Sequence, residues 1–107
     1  MEIKELKEFI DWEVKRLNEY YKDKPKEEVR LAAALKMVEE VGELSNEVLS
    51  HNGSQRNDKL EKFNKKDIGN EFADVIFTTL ILANRFNVDI EKEIKDKMEK
   101  IKNRIYK

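Results

Sequence analysis

Apolar residues recur along this chain at three- and four-residue spacings, and no segment alternates as a strand would. Ile3, Leu6, Ile10, Val14, Leu17 and Tyr21 form one stripe, with Phe9 and Trp12 beside it, and predict a helix over residues 2–21. Pro25 stands at or just before the start of a second helix, where its missing N–H costs little. That helix is expected to run to about Ser50, where His51-Asn52-Gly53-Ser54 breaks the pattern. Residues 51–66 read as a polar, mobile loop with room for a short helical turn from Lys59 to Phe63. A third helix is predicted over 67–86, stopping at Asn87. Asp89 is a good N-cap for a fourth over 90–106, whose stripe is Ile90, Ile94, Met98, Ile101 and Ile105. The expectation is an all-α fold, a four-helix bundle formed by a single domain over residues 1–107, with no internal repeat.

The third helix carries an unusual wedge. Phe72, Ala73, Val75, Ile76, Phe77, Leu80, Ile81, Leu82, Ala83 and Phe86 make it apolar nearly all round, with Thr79 and Asn84 as exceptions. Such a helix is expected to be buried. Asp67, Asp74, Thr78 and Arg85 nevertheless fall within about 60° of Glu71 on the wheel, so this polar wedge should face the interior or a cleft. Isolated carboxylates there cost several kcal/mol each unless they neutralise or find a cation. A structural ion pair of Asp74 with Arg85 or Lys36 is the plain alternative.

The second helix has an apolar half built from Leu31, Ala34, Leu35, Val38, Val41, Leu44, Val48 and Leu49. Lys36, Glu39, Glu40, Glu43 and Glu47 occupy the other half. A solvated acidic face, with Lys36 and Glu40 as an i,i+4 pair, is the ordinary meaning of this pattern. Two details point further. Ala32 and Ala33 beside the acidic half would admit a close neighbour. Gly42 sits mid-helix at a cost of about 1 kcal/mol relative to Ala, which suggests something packed near it.

Residues three apart on a helix lie about 60° apart, so Glu40 pairs with Glu43 and Glu71 with Asp74. If the two helices face each other, four carboxylates converge and repel unless a hard divalent cation sits among them. Oxygen-only ligation suits Mg²⁺, with Mn²⁺ able to substitute.

Composition narrows the rest. Of 107 residues, 42% are charged and 39% hydrophobic, with three Gly and one Pro, which suits a helical bundle with a heavily solvated surface. The net charge of −1 gives no pull toward nucleic acid or an anionic membrane, and neither is expected as a partner. The absence of Cys excludes disulfides and zinc–thiolate sites. The opening MEIKELKEF has no apolar signal-peptide core, the run Phe72 to Phe86 is too short to span a bilayer, and a cytoplasmic setting is expected. A di-iron carboxylate bundle needs Glu-x-x-His motifs, and the single His, His51, stands in the predicted loop. On the fourth helix, Lys97, Lys100 and Arg104 lie within about 60° of one another and flank the apolar stripe. They can reach phosphates beside a metal site or remain solvated lysines and arginine of a lysine-rich chain.

The run Glu-Glu-Val-Gly-Glu-Leu (39–44) followed by Glu-Phe-Ala-Asp-Val (71–75) resembles the MazG-like nucleoside triphosphate pyrophosphohydrolases of the all-α NTP pyrophosphatase superfamily, over about residues 30–105. The resemblance implies a four-helix MazG-like bundle completed by homo-oligomerisation. It implies Glu40, Glu43, Glu71 and Asp74 as Mg²⁺ ligands, Glu39 as an auxiliary catalytic group, and Lys97, Lys100, Asn103 and Arg104 as substrate contacts. The implied reaction is hydrolysis of a nucleoside triphosphate between the α and β phosphates, to a monophosphate and pyrophosphate. The base would stack on Trp12, Phe9 or Tyr20. Alternatives are a phosphoribosyl-ATP pyrophosphohydrolase-like enzyme and a non-enzymatic helical oligomerisation module. The apolar surface of the second and third helices exceeds what one small chain can cover, so a homodimer or a dimer of dimers is expected.

Overall fold

The computed structural model describes residues 1–51 and 65–106, and these form four helices with no strand among them. They are α1 (Ile3–Tyr20), α2 (Lys26–His51), α3 (Lys65–Arg85) and α4 (Ile90–Lys102). The expected order and helical class hold. The expected loop lies outside the described residues, apart from His51, which closes α2, and the first residues of α3. None of the described helices is long and apolar enough to cross a membrane.

The helix ends follow local chemistry. Asp89 caps α4 as expected, its side chain accepting from the Lys92 N–H at 3.2 Å. Asn87 adopts a left-handed φ of 55°, which Asn tolerates better than most residues. The Asn87 N–H then reaches Asn84 O at 3.0 Å and the Val88 N–H reaches Ala83 O at 3.1 Å. This Schellman closure is what stops α3. The fourth helix is shorter than its apolar stripe, ending at Lys102 rather than 106. Asn103 caps it, the Arg104 N–H turns back to Ile101 O, and Ile105 stands 83% exposed with nothing packed over it to prolong the helix.

α2 and α3 lie side by side and antiparallel: Arg30 covers the Phe86 ring at one end, and Glu40 meets Glu71 and Asp74 further along. α1 docks on the later half of α3 through Phe9 against Phe77, ring centroids 5.5 Å apart, and through Asn84 donating to Asp11 at 3.0 Å. α4 is tied back by its first turn, where Lys7 meets Glu91 at 3.0 Å.

These contacts do not close a core. Ile10 and Val14 are the buried hydrophobic side chains among the described residues, at 5% and 8% exposure. α3, expected to be buried, has no fully buried described side chain, because α1 and α2 cover only part of its circumference. Phe72 and Ile76 remain half exposed. On α2 the stripe Leu31, Leu35 and Val38 is 62–69% exposed. The radius of gyration, 17.2 Å, compares with about 13 Å for a compact chain of this length.

Candidate metal centre

The site is built on the antiparallel contact of α2 and α3. Glu40 faces α3 and is buried, with 6% of its surface accessible. Glu71 and Asp74, one turn apart on α3, are half-buried opposite it. One carboxylate oxygen from each of Glu40, Glu71 and Asp74 lies within 4.8 Å of the others, and the same holds for Glu39, Glu40 and Glu43. Glu40 belongs to both groups and is the hub. Glu39 and Glu43 are exposed, so the cluster has a buried floor and an open mouth.

The carboxylates of the cluster repel one another, and a single cation among the described residues faces them. Glu40 Oε1 accepts from Lys36 Nζ at 3.1 Å, and Lys36 also reaches Glu39 at 3.5 Å. The hydrogen bond to Glu40, with the charge of Glu39 behind it, holds the Lys36 proton more firmly than usual. One ammonium does not satisfy the floor: Glu40 Oε2 and Glu71 Oε2 are buried with no hydrogen-bond partner. The Glu43 carboxyl is pushed above its ordinary range, first by the charge of Glu40, then by desolvation and by Glu71. Orphaned buried carboxylate oxygens cost free energy comparable to a lost hydrogen bond or more. A hard divalent cation removes both the repulsion and the orphan atoms. The donor set is all oxygen, which fits Mg²⁺ or Mn²⁺ and not a soft metal.

Other expectations fare differently. Asp74 forms no ion pair with Arg85 or Lys36 among the described residues: Lys36 turns to its own helix, and Arg85 donates to Asn18. Gly42 was expected to have something packed near it, yet a Cβ there would meet nothing within 4 Å, because this part of α2 faces away from α1 and α3. Lys97, Lys100, Asn103 and Arg104 are exposed on α4 and just beyond it, and none is hydrogen-bonded or ion-paired to the four carboxylates. Trp12 is 53% exposed under the Arg16 guanidinium, 4.6 Å from the ring centre, and neighbours Phe9 at 5.7 Å. Tyr20 lies against Tyr21.

The expected i,i+4 pair of Lys36 with Glu40 forms and, Glu40 being buried, reaches the floor of the cluster. One residue was passed over in the sequence. Phe77 was counted as core and links Phe9 and Trp12 to α3 one turn beyond Asp74. The three-residue spacing of Asp74 and Phe77 was the available signal.

The profile of the MazG-like family matches residues 31–106, which hold nearly all of α2 together with α3 and α4. The phosphoribosyl-ATP pyrophosphatase of Clostridium acetobutylicum is 40% identical over 72 residues, covering 64% of this chain. The chain spans 58% of the length of that curated relative. No solved structure matches this chain. The chain belongs to the MazG-like family.

Proposed function

We propose that this member of the MazG-like family is a Mg²⁺-dependent pyrophosphohydrolase that cleaves a nucleoside or deoxynucleoside triphosphate between its α and β phosphates, in nucleotide-pool house-cleaning. The observation that carries the reading is the buried floor of the acidic cluster, where Glu40 and Glu71 each keep an orphaned oxygen aimed at no protein donor. Glu40, Glu43, Glu71 and Asp74 would hold the ion. When bound, it neutralises phosphate charge and lowers the pKa of a coordinated water. Glu39, exposed at the rim beside Glu40 and Glu43, would accept the proton of the attacking water. The water oxygen forms the new bond to phosphorus, the bridging P–O bond breaks, and pyrophosphate leaves with that electron pair. Phe9, Trp12 and Phe77 offer an aromatic surface one turn along α3 for a base to stack on. Lys97, Lys100, Asn103 and Arg104 come within reach of the phosphates if a second copy presents them over the mouth.

We infer the second copy from the exposed apolar stripe of α2, continued by Phe72 and Ile76 on α3 and by Ile94, Met98 and Ile101 on α4. A dimer, or a dimer of dimers, joined through α2 and α3 covers the first two. Light scattering during size exclusion tests this. A mass of 12.8 kDa together with turnover at nanomolar concentration would rule it out.

The similarity to a phosphoribosyl-ATP pyrophosphatase supports a second reading, in which phosphoribosyl-ATP is the substrate. Both readings release pyrophosphate, so one panel separates them. NTPs, dNTPs and phosphoribosyl-ATP are incubated with Mg²⁺ or Mn²⁺, and pyrophosphate is read against orthophosphate. Preferred turnover of one NTP or dNTP, with pyrophosphate released, supports the first reading. Preference for phosphoribosyl-ATP selects the second. Absence of metal-dependent pyrophosphate release from every substrate would leave a helical oligomerisation module.

A further inference from the structure

At the other end of the α2–α3 pair lies a cleft of about 480 Å³ with the opposite character. Lys22, Lys24, Lys26, Arg30 and Arg85 line it, and no carboxylate does. Arg30 precedes Glu40 by ten residues (40 − 30) and Arg85 follows Asp74 by eleven (85 − 74), so about 15 Å of helix separates cleft and acidic cluster. One triphosphate group cannot touch both.

The cations of this cleft are poorly neutralised by the chain itself. Lys22 pairs with Glu19 at 3.3 Å and Lys24 with Glu28 at 3.5 Å, but all four side chains are more than half exposed, and such pairs contribute little. Lys26 and Arg30 make no ion pair among the described residues, Arg30 lying instead 5.1 Å over the Phe86 ring. Arg85 is the unusual member. Its guanidinium donates to the Asn18 amide oxygen, no carboxylate meets it, and its Nε is buried with no acceptor. Burial accordingly lowers its affinity for its proton, with only a small opposing effect from Tyr21. A buried Nε without an acceptor is a costly arrangement for a guanidinium at the cleft wall. Lys26 is also the first residue of α2, so the unpaired N–H groups and positive end of that helix lie at the cleft. The Schellman turn at Asn87 fixes the wall that carries Arg85.

We propose that this cleft is an anion site, separate from the acidic cluster, that takes a di- or triphosphate group. Five clustered cations and a helix N-terminus match a compact polyvalent anion better than a single carboxylate or an orthophosphate. The group arrives either as free pyrophosphate or as the tail of a nucleotide. The assignment does not depend on the acidic cluster being catalytic.

The test is calorimetric titration of the whole protein with pyrophosphate in EDTA. Without a divalent ion the acidic cluster repels pyrophosphate, and heat lost in the double substitution below reports the basic cleft rather than the cations of α4. The expected result is one saturable site per chain, weakening as salt is raised and weaker for orthophosphate. Lys26→Gln with Arg30→Gln should weaken it at least tenfold, and Asp74→Asn should leave it unchanged. ADP binding no tighter than pyrophosphate shows that the phosphates alone are held, and tighter binding shows that the nucleoside is held as well; both support the site. No binding at millimolar pyrophosphate overturns the proposal. So does binding that survives the double substitution or disappears in Asp74→Asn. Failure here leaves the metal-dependent panel above untouched, and failure of that panel leaves this titration readable.

Discussion

The two faces of α2 reverse the usual order of a surface helix. Its acidic side points inward and buries Glu40 to 6% exposure, whereas Leu31, Leu35 and Val38 on the far side stand 62–69% exposed. On the helical wheel Glu40 falls nine residues from Leu31 (40 − 31), half a turn round the axis. Each face is costly in an isolated, ion-free chain. Burying unpaired carboxylate oxygens forfeits hydration, and wetting an apolar stripe forfeits about 25 cal/mol for each Å² left uncovered. The difference teaches that this chain carries two incomplete surfaces on one helix. In the reading proposed above, a cation would complete the inner face and a second copy of the chain the outer one.

Breaking the inner face should have the largest effect. Asp74→Asn or Glu43→Gln is expected to lower pyrophosphate release by more than about 100-fold, since even outer-shell partners of a metal are worth 10–100-fold. The helical circular dichroism should persist. The Mg²⁺-dependent rise in melting temperature should vanish with activity in Asp74→Asn. Near wild-type turnover in both variants would remove these carboxylates from the site.

Breaking the outer face should separate the copies. Leu35→Glu places an unpaired charge in the inferred interface, a penalty on the order of 3–5 kcal/mol. Scattering mass should fall toward 12.8 kDa, and the melting temperature should fall with it. Activity should drop too if α4 of one copy serves the mouth of the other. An unchanged mass would show that the stripe is not where the copies meet.

Much of this architecture was legible because helical periodicity and caps are local signals. Asp89, Asn87 and the three-residue spacing of the acidic pairs each act within one turn; the structure bears out the helices and gathers the carboxylates into two groups that share Glu40. What the sequence concealed is which way α2 faces. A wheel with an apolar half and an acidic half reads by default as apolar inward, and only the wedge on α3 argues otherwise. The exposure of α3 was hidden for the same reason. An all-round apolar helix announces burial without saying whether its own chain or another supplies the cover. The basic cleft was invisible because Lys22, Lys24, Lys26 and Arg30 read as scattered surface charge until the packing of α3 against α1 and α2 brings Arg85 among them.

Gly42 offers a finer test of the outer face. It lies on the stripe of Leu35 and Val38, and within this chain nothing comes within 4 Å of an added Cβ. In an isolated chain Gly42→Ala should therefore stabilise α2 by about 1 kcal/mol. If a second copy packs closely there, the added methyl overpacks the contact and costs about 1–3 kcal/mol. The expected outcome is a lower melting temperature in the wild-type background and a higher one in Leu35→Glu, measured by thermal unfolding at matched concentration.

The smallest effect concerns the inner face without its ion. Glu43 has its carboxyl pKa raised, chiefly by the charge of Glu40, so the folded chain holds that proton more tightly than the unfolded chain does. Stability of the metal-free protein should then rise as pH falls through the raised pKa, and be lower above it, where all the carboxylates are charged. Glu43→Gln removes one of the repelling charges and should raise the metal-free melting temperature slightly at neutral pH. The same substitution should flatten the gain seen on acidification. Adding Mg²⁺ should reverse the order, because the wild type then gains a ligand interaction that the Gln side chain makes poorly. Thermal unfolding of both proteins in EDTA and in Mg²⁺, across the mildly acidic to neutral range, reads all three signs. A variant less stable than wild type in EDTA would mean that Glu43 is held by attraction rather than set against its neighbours, and the account of a self-repelling inner face would fail.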